Sequence, residues 1–96
     1  MKVSFATHRL YEASRNRRDA DRVLGELGIR YLRRLDTILA ADCFEALQKI
    51  ASLGLHPLKG DREGQWAIRL SGNFRLIVTA VEDTLTIHSV EDYHGE

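Results

Sequence analysis

The sequence predicts an α+β domain in which helices pack on one face of an antiparallel sheet. Two observations predict it. Apolar residues recur every three or four positions as far as Gly54, and every second position beyond Pro57. The order, helices first and then consecutive strands joined by short turns, separates this class from an alternating α/β chain. Ninety-six residues make one domain, 1–96, with one core.

Val3-Ser4-Phe5 reads as a short opening strand. Thr7 is placed to N-cap a helix through Leu10 and Ala13, its hydroxyl accepting from the free N–H groups of the first turn. After the basic cluster Arg15, Arg17 and Arg18, helical spacing resumes at Ala20, Val23, Leu24 and Leu27, with a break expected near Gly28. Ile29, Leu32, Leu35, Ile38 and Leu39 then build one apolar stripe. Asp42 followed by Glu45 has the spacing of a capping box for a helix through Phe44, Leu47 and Ile50, which Gly54 would stop. Trp66, Ile68 and Leu70 alternate with Gln65, Ala67 and Arg69, as in a strand with one buried face. Ser71-Gly72-Asn73 turns the chain into a second strand, Phe74 to Ala80, and Glu82-Asp83-Thr84 into a third, Leu85 to Val90.

No apolar run approaches the ~18–20 residues that span a bilayer, and Met1-Lys2-Val3-Ser4-Phe5 leads into charged residues rather than a signal-peptide core. The single cysteine, Cys43, cannot form an internal disulfide and fits a reducing compartment, so a cytoplasmic protein with no membrane association is expected. Net charge is zero, yet its sign runs along the chain. Residues 1–34 hold nine Lys/Arg against four Asp/Glu, whereas residues 76–96 hold five acids and no Lys or Arg. Such asymmetry suggests a region facing a polyanion, but folding can interleave the two ends, and charge alone favours a solvated mixed surface.

Three polar clusters carry chemistry: the connection from His56 to Arg62, the Asn73-Phe74-Arg75 segment, and Glu91-Asp92-Tyr93-His94. Cleaving RNA without a metal requires a proton acceptor for the 2′-hydroxyl, a donor for the departing 5′-oxygen and positive charge for the phosphoryl oxygens. Imidazole and carboxylate suit the first two tasks, guanidinium and ammonium the third. His56, His94 and Asp92 are the candidates for protons, and Arg75 and Lys59 for charge, with Arg62 a further RNA contact. In an extended segment Asp92 and His94 project to one side and Tyr93 to the other. Each residue also has a purely structural reading: His56 capping a loop, Lys59 and Arg62 as solvated charges, Arg75 in a cross-strand ion pair, Asp92 to His94 as a tail. His56, Asp92 and His94 match no strong metal-site spacing, so neither a metal nor another cofactor is expected.

Taken together, His56-Pro57-Leu58-Lys59-Gly60-Asp61-Arg62-x-Gly64-Gln65-Trp66, Gly72-Asn73-Phe74-Arg75-Leu76 and Val90-Glu91-Asp92-Tyr93-His94 resemble the HigB (plasmid maintenance killer) family of the RelE/ParE superfamily. The resemblance covers roughly residues 20–95, including Leu32-Arg33-Arg34-Leu35 and Ala40-Ala41. It implies a RelE-like microbial RNase fold, with N-terminal helices on a twisted antiparallel sheet. It also implies a toxin of a type II toxin–antitoxin system that cleaves mRNA on the 70S ribosome and leaves a 2′,3′-cyclic phosphate. A HigA-like helix-turn-helix antitoxin would neutralise it and carry the complex to operator DNA. In such proteins the residues corresponding to His56, Asp92, Tyr93 and His94 are required for activity, and Lys59, Asn73 and Arg75 belong to the same site. Two other functions fit the same fold: a ParE-like inhibitor of gyrase, and an inactive toxin-like corepressor. Neither needs the set His56, Arg75, Asp92 and His94.

Overall fold

A computed structural model describes residues 1–93. The elements run β1 (Lys2–Phe5), α1 (His8–Ala13), α2 (Arg17–Leu24), α3 (Gly28–Ala40), α4 (Phe44–Gln48), β2 (His56–Pro57), β3 (Trp66–Ser71), β4 (Phe74–Val81) and β5 (Thr84–Asp92). The strands form one sheet in the order β1-β5-β4-β3-β2. The meander β2 to β5 is antiparallel, as its short turns require, while β1 joins the free edge of β5 in parallel, Val3 opposite Leu85.

Local signals account for the helix starts. Thr7 accepts a hydrogen bond from the Leu10 amide at 3.2 Å and Asn16 from the Asp19 amide at 2.8 Å, each satisfying a donor that its helix leaves free. The expected capping box is not used. Cys43, not Asp42, occupies the N-cap of α4, with no side-chain cap bond, and the helix is five residues long. A 3₁₀ turn at Ala51–Leu53 continues the chain to Gly54, whose left-handed conformation (φ 56°) ends it.

The helical stripe of α3 is rotated from the one its aliphatic residues suggest. Gly28, Tyr31, Leu35 and Ile38 face inward, whereas Leu39 is 56% exposed. Two contacts set this orientation. The Tyr31 hydroxyl, fully buried, donates to the Leu10 carbonyl at 2.8 Å and so ties α3 to α1. Burial pushes that phenol well above its ordinary pKa, so it stays a donor. Gly28 meets the backbone of α2, where a Cβ would stand 2.7 Å from the Ala20 carbonyl carbon.

The main core lies between the helices and one face of the sheet. Leu10, Tyr31, Leu35, Ile38, Leu47 and Leu53 meet Ile68, Leu70, Leu76, Val78, Leu85 and Ile87. The other face is not bare. Leu58, Ala67 and Ile77 are buried there with Tyr93 packed against them. Strand β3 is therefore buried on both sides at Ala67 and Ile68. The expectation of one buried face fails because the connection from β2 to β3 covers the second.

A β-bulge assigns the end of β5 to that second face. Val78 pairs with Ile87 but its neighbour Ile77 pairs with Ser89, so His88 is an extra residue. Strict alternation from Leu85 and Ile87 would send residues 89, 91 and 93 into the helical core. The bulge inverts the phase: Val90 packs with the main core and Tyr93 on the opposite face. His88 Nε2 lies 2.8 Å from Thr79 Oγ1, a cross-strand bond beside the bulge.

Replacing Gly28 by alanine tests the α2–α3 approach. Helix propensity alone would favour alanine by about 1 kcal/mol. The added methyl meets backbone, which cannot rotate aside, so G28A is expected to destabilise the protein by about 1–3 kcal/mol. The midpoint of urea unfolding should fall; an unchanged or higher midpoint would show that the helices separate freely.

Candidate active site

His56 opens the short edge strand β2, opposite Ala67. Pro57 is tolerated beside it because an edge strand leaves one side of its backbone unpaired. The imidazole turns back on its own chain, with Nδ1 3.0 Å from the Gly54 carbonyl oxygen. A carbonyl can only accept, so Nδ1 carries the proton and Nε2 of the neutral ring keeps its lone pair. Nε2 is buried and has no hydrogen-bond partner among the described residues. The Tyr93 ring packs near it, with centroids 6.0 Å apart at 41°. His56, Pro57, Leu58, Lys59 and Tyr93 line a cleft of about 370 Å³ on the sheet face away from the helices.

The connection between β2 and β3 arches over this face. Its base is closed by the Leu58 amide donating to the Gln65 carbonyl at 2.9 Å, and its middle is a 3₁₀ turn, Gly60–Arg62. From there Arg62 reaches β5. Its two terminal nitrogens donate to the two Glu91 carboxylate oxygens at 2.9 and 2.8 Å, and its Nε donates to Gln65 Oε1 at 3.1 Å. The Ser89 hydroxyl adds a 2.7 Å bond to Glu91. The Arg62 hydrogen bonds hold the Glu91 carboxyl below its ordinary pKa against the opposing effect of burial, and the same bonds raise that of Arg62.

Arg75 sits between Arg69 and Glu91 in the register of the sheet. Its guanidinium bends toward the β3–β4 turn and donates to the carbonyls of Gly72 at 2.7 Å and Phe74 at 3.0 Å. Asn73, in that turn, accepts from the Tyr93 amide through its carbonyl at 2.8 Å, which fastens the turn to the end of β5.

The sequence-predicted residues thus divide between two surfaces. His56, Lys59 and Tyr93 share the first cleft. Asp92 and Asn73 line a second, of about 500 Å³, with Glu26, Leu27, Arg30, Ser71, Gly72 and Phe74. The alternation expected between Asp92 and Tyr93 accounts for this split. Arg75 lies at the β3–β4 hairpin with its guanidinium on the turn carbonyls, and Arg62, expected to touch RNA, is occupied by Glu91. His94 lies outside the described residues. Among the described residues, no three His, Cys, Asp or Glu side chains are grouped to hold a metal ion.

Sequence reasoning missed Glu91 and Arg30. Glu91 was legible only as the neighbour of Asp92, and Arg30 as one arginine among many. The basic N-terminal stretch is also reorganised. Arg15, Arg17 and Arg22 pair with Asp19, Asp21 and Glu12 along α1 and α2. Positive charge instead gathers where Arg34, bonded by Nε to the Arg69 carbonyl at 2.7 Å, meets Arg30 and Arg69. Burial first, and these two neighbours next, lower the pKa of Arg34.

Known proteins share this architecture. The chain covers 93% of itself and 89% of YafQ from E. coli strain BL21(DE3), with a TM-score of 0.61 and 15% identity. Against the YoeB–YefM complex from Staphylococcus aureus it covers 99% of itself and 98% of the matched chain, with a TM-score of 0.57 and 15% identity. The fold is that of YafQ and YoeB. In sequence, 40 residues are 48% identical to the endoribonuclease HigB of Proteus vulgaris, a match spanning 42% of this chain and 44% of that relative. No family model matches the chain. The resemblance to HigB is supported in sequence over that segment, while over nearly the whole chain the fold is shared with YafQ and YoeB.

The tautomer of His56 is directly measurable. Nitrogen-15 spectra of the neutral imidazole are expected to show the proton on Nδ1. A proton on Nε2 would mean that the Gly54 contact does not orient the ring.

Proposed function

We propose that this protein is the toxin of a type II toxin–antitoxin pair, an endoribonuclease that cleaves mRNA in the cytoplasm while it is bound to the 70S ribosome. The observation that carries this reading is the His56 cleft. An imidazole with an oriented Nε2, unpartnered among the described residues, lies beside Tyr93 and Lys59, on a fold shared with YafQ and YoeB. The sequence match to an endoribonuclease supports the reaction class.

In the proposed reaction the RNA 2′-hydroxyl attacks the adjacent phosphorus as its proton is withdrawn. The bond from phosphorus to the 5′-oxygen breaks, and that oxygen takes up a proton. The products are a 2′,3′-cyclic phosphate and a free 5′-hydroxyl, with no oxidant and no metal required. Proton transfer falls to Asp92 and His94, with His56 assisting through Nε2. Lys59 and Arg75 hold the phosphate and stabilise its developing charge. Arg75 reaches phosphate by exchanging its bonds to the Gly72 and Phe74 carbonyls for charge-assisted ones. Tyr93 and Asn73 position the nucleotide. The Arg30, Arg34 and Arg69 surface supplies attraction to ribosomal RNA that zero net charge would otherwise deny.

A HigA-like helix-turn-helix antitoxin is the proposed inhibitor and, through its own DNA-binding element, the link to operator DNA. A complex of a fold neighbour, YoeB with YefM, supports a protein partner of this general kind.

His56→Ala tests the assignment. On ribosomes programmed with a defined mRNA, it should lower the cleavage rate by about 10²-fold or more, the usual weight of an acid–base residue. Cleavage at the wild-type rate would remove His56 from the reaction. Growth arrest with intact mRNA and inhibited gyrase supercoiling would replace the nuclease reading by the gyrase one.

A further inference from the structure

The Arg62–Glu91 pair is built more carefully than a surface ion pair needs to be. The Arg62 guanidinium is engaged at all three nitrogens, two on Glu91 and one on Gln65 of its own loop. Glu91 in turn is steadied by Ser89, two residues earlier on the same strand. Both side chains are only about a third exposed, at 34% each. The pair joins residues 29 apart in sequence, across the face that carries the candidate cleft.

The pair links a loop to a strand end. One side is the loop of residues 58–65, which has a single 3₁₀ turn as its regular structure and carries Lys59. Leu58 at its base is buried against Ala67 and Ile77, with Tyr93 on the same cluster. The other side is the last stretch of β5, the residue before Asp92 and Tyr93. Severing the pair would leave the loop held at its base by Leu58 and the Gln65 carbonyl but free to lift at its middle.

We propose that Glu91 is a positioning residue, which straps the 58–65 loop across this sheet face through Arg62 and so sets Lys59 in register with Tyr93 and the His56 cleft. Arg62 accordingly works as the loop's tether and not as an RNA ligand. The catalytic consequence rests on the nuclease reading above, whereas the strap itself does not. Its effect is on geometry: an error near 1 Å in a reacting constellation costs up to about 10²-fold in rate.

Two measurements on the full-length protein test this. Amide hydrogen exchange compares wild type with Arg62→Ala, Glu91→Gln and the double variant. Exchange at residues 59–65 should rise about tenfold in each single variant and no further in the double, with the helical core unchanged. Wild-type exchange in that loop in Glu91→Gln would overturn the strap. Steady-state cleavage of ribosome-bound mRNA is the second measurement. Both single variants are expected to lose about tenfold or more in kcat with KM little changed, and the double variant to lose no more than either. Should Arg62→Ala instead raise KM while Glu91→Gln lowers it, Arg62 binds RNA in competition with Glu91 and the proposal is wrong. Absence of cleavage by wild type would sink the nuclease reading alone, with the exchange data still deciding whether the strap exists.

Discussion

One extra residue in β5 organises the face on which the chemistry is proposed. The bulge at His88 inverts the strand's alternation between Ile87 and Ser89. Before it, Leu85 and Ile87 enter the main core; after it, Val90 does, and Tyr93 emerges on the other side. The strand thereby meets two demands that a regular strand of its sequence could not. It buries Leu85, Ile87 and Val90 against the helices, and it delivers Glu91 and Tyr93 to the opposite face. Arg62 finds its carboxylate there, and Tyr93 closes over Ala67 and Ile77 beside His56.

The second small core has a corresponding purpose. A loop crossing a sheet normally gains little, since its backbone is solvated and its ordering costs entropy. Here Leu58 and Tyr93 bury apolar surface under the arch, and the Arg62–Glu91 bond pins its middle. The cleft with His56 and Lys59 is the gap left between arch and strand end. The remaining candidates, Asp92 and Asn73, open onto a separate cleft against Arg30. Under the proposed reading, candidate residues spread over two faces of one strand end suit an extended polymer better than a small metabolite.

Local signals in the chain were informative wherever the physics is local. Thr7, the left-handed Gly54 and the turns at residues 72–73 and 82–83 stand where composition placed them. The cap of α4 did not, because Cys43 adopts the extended N-cap geometry and Asp42 lies one residue too early. The face of α3 was misjudged for a different reason. A stripe of aliphatic residues competes with a glycine and a tyrosine, and backbone contact at Gly28 with the Tyr31 bond to Leu10 outweighs the stripe.

By itself the sequence determined the α+β class, the start of the first helix, the hairpin turns, and the motifs that resemble HigB and supply the candidate residues. Those depend on spacing and on residue chemistry, which are properties of short segments. Tertiary structure decided which of those residues share a surface. It set Tyr93 beside His56 and Asp92 across the strand from them, paired the Arg-rich helices with their own acids, and gave Arg62 to Glu91. The physical reason is that a β-bulge and a 29-residue ion pair are solutions to packing two faces at once. A period of two read along the chain has no means of recording where the count slips by one.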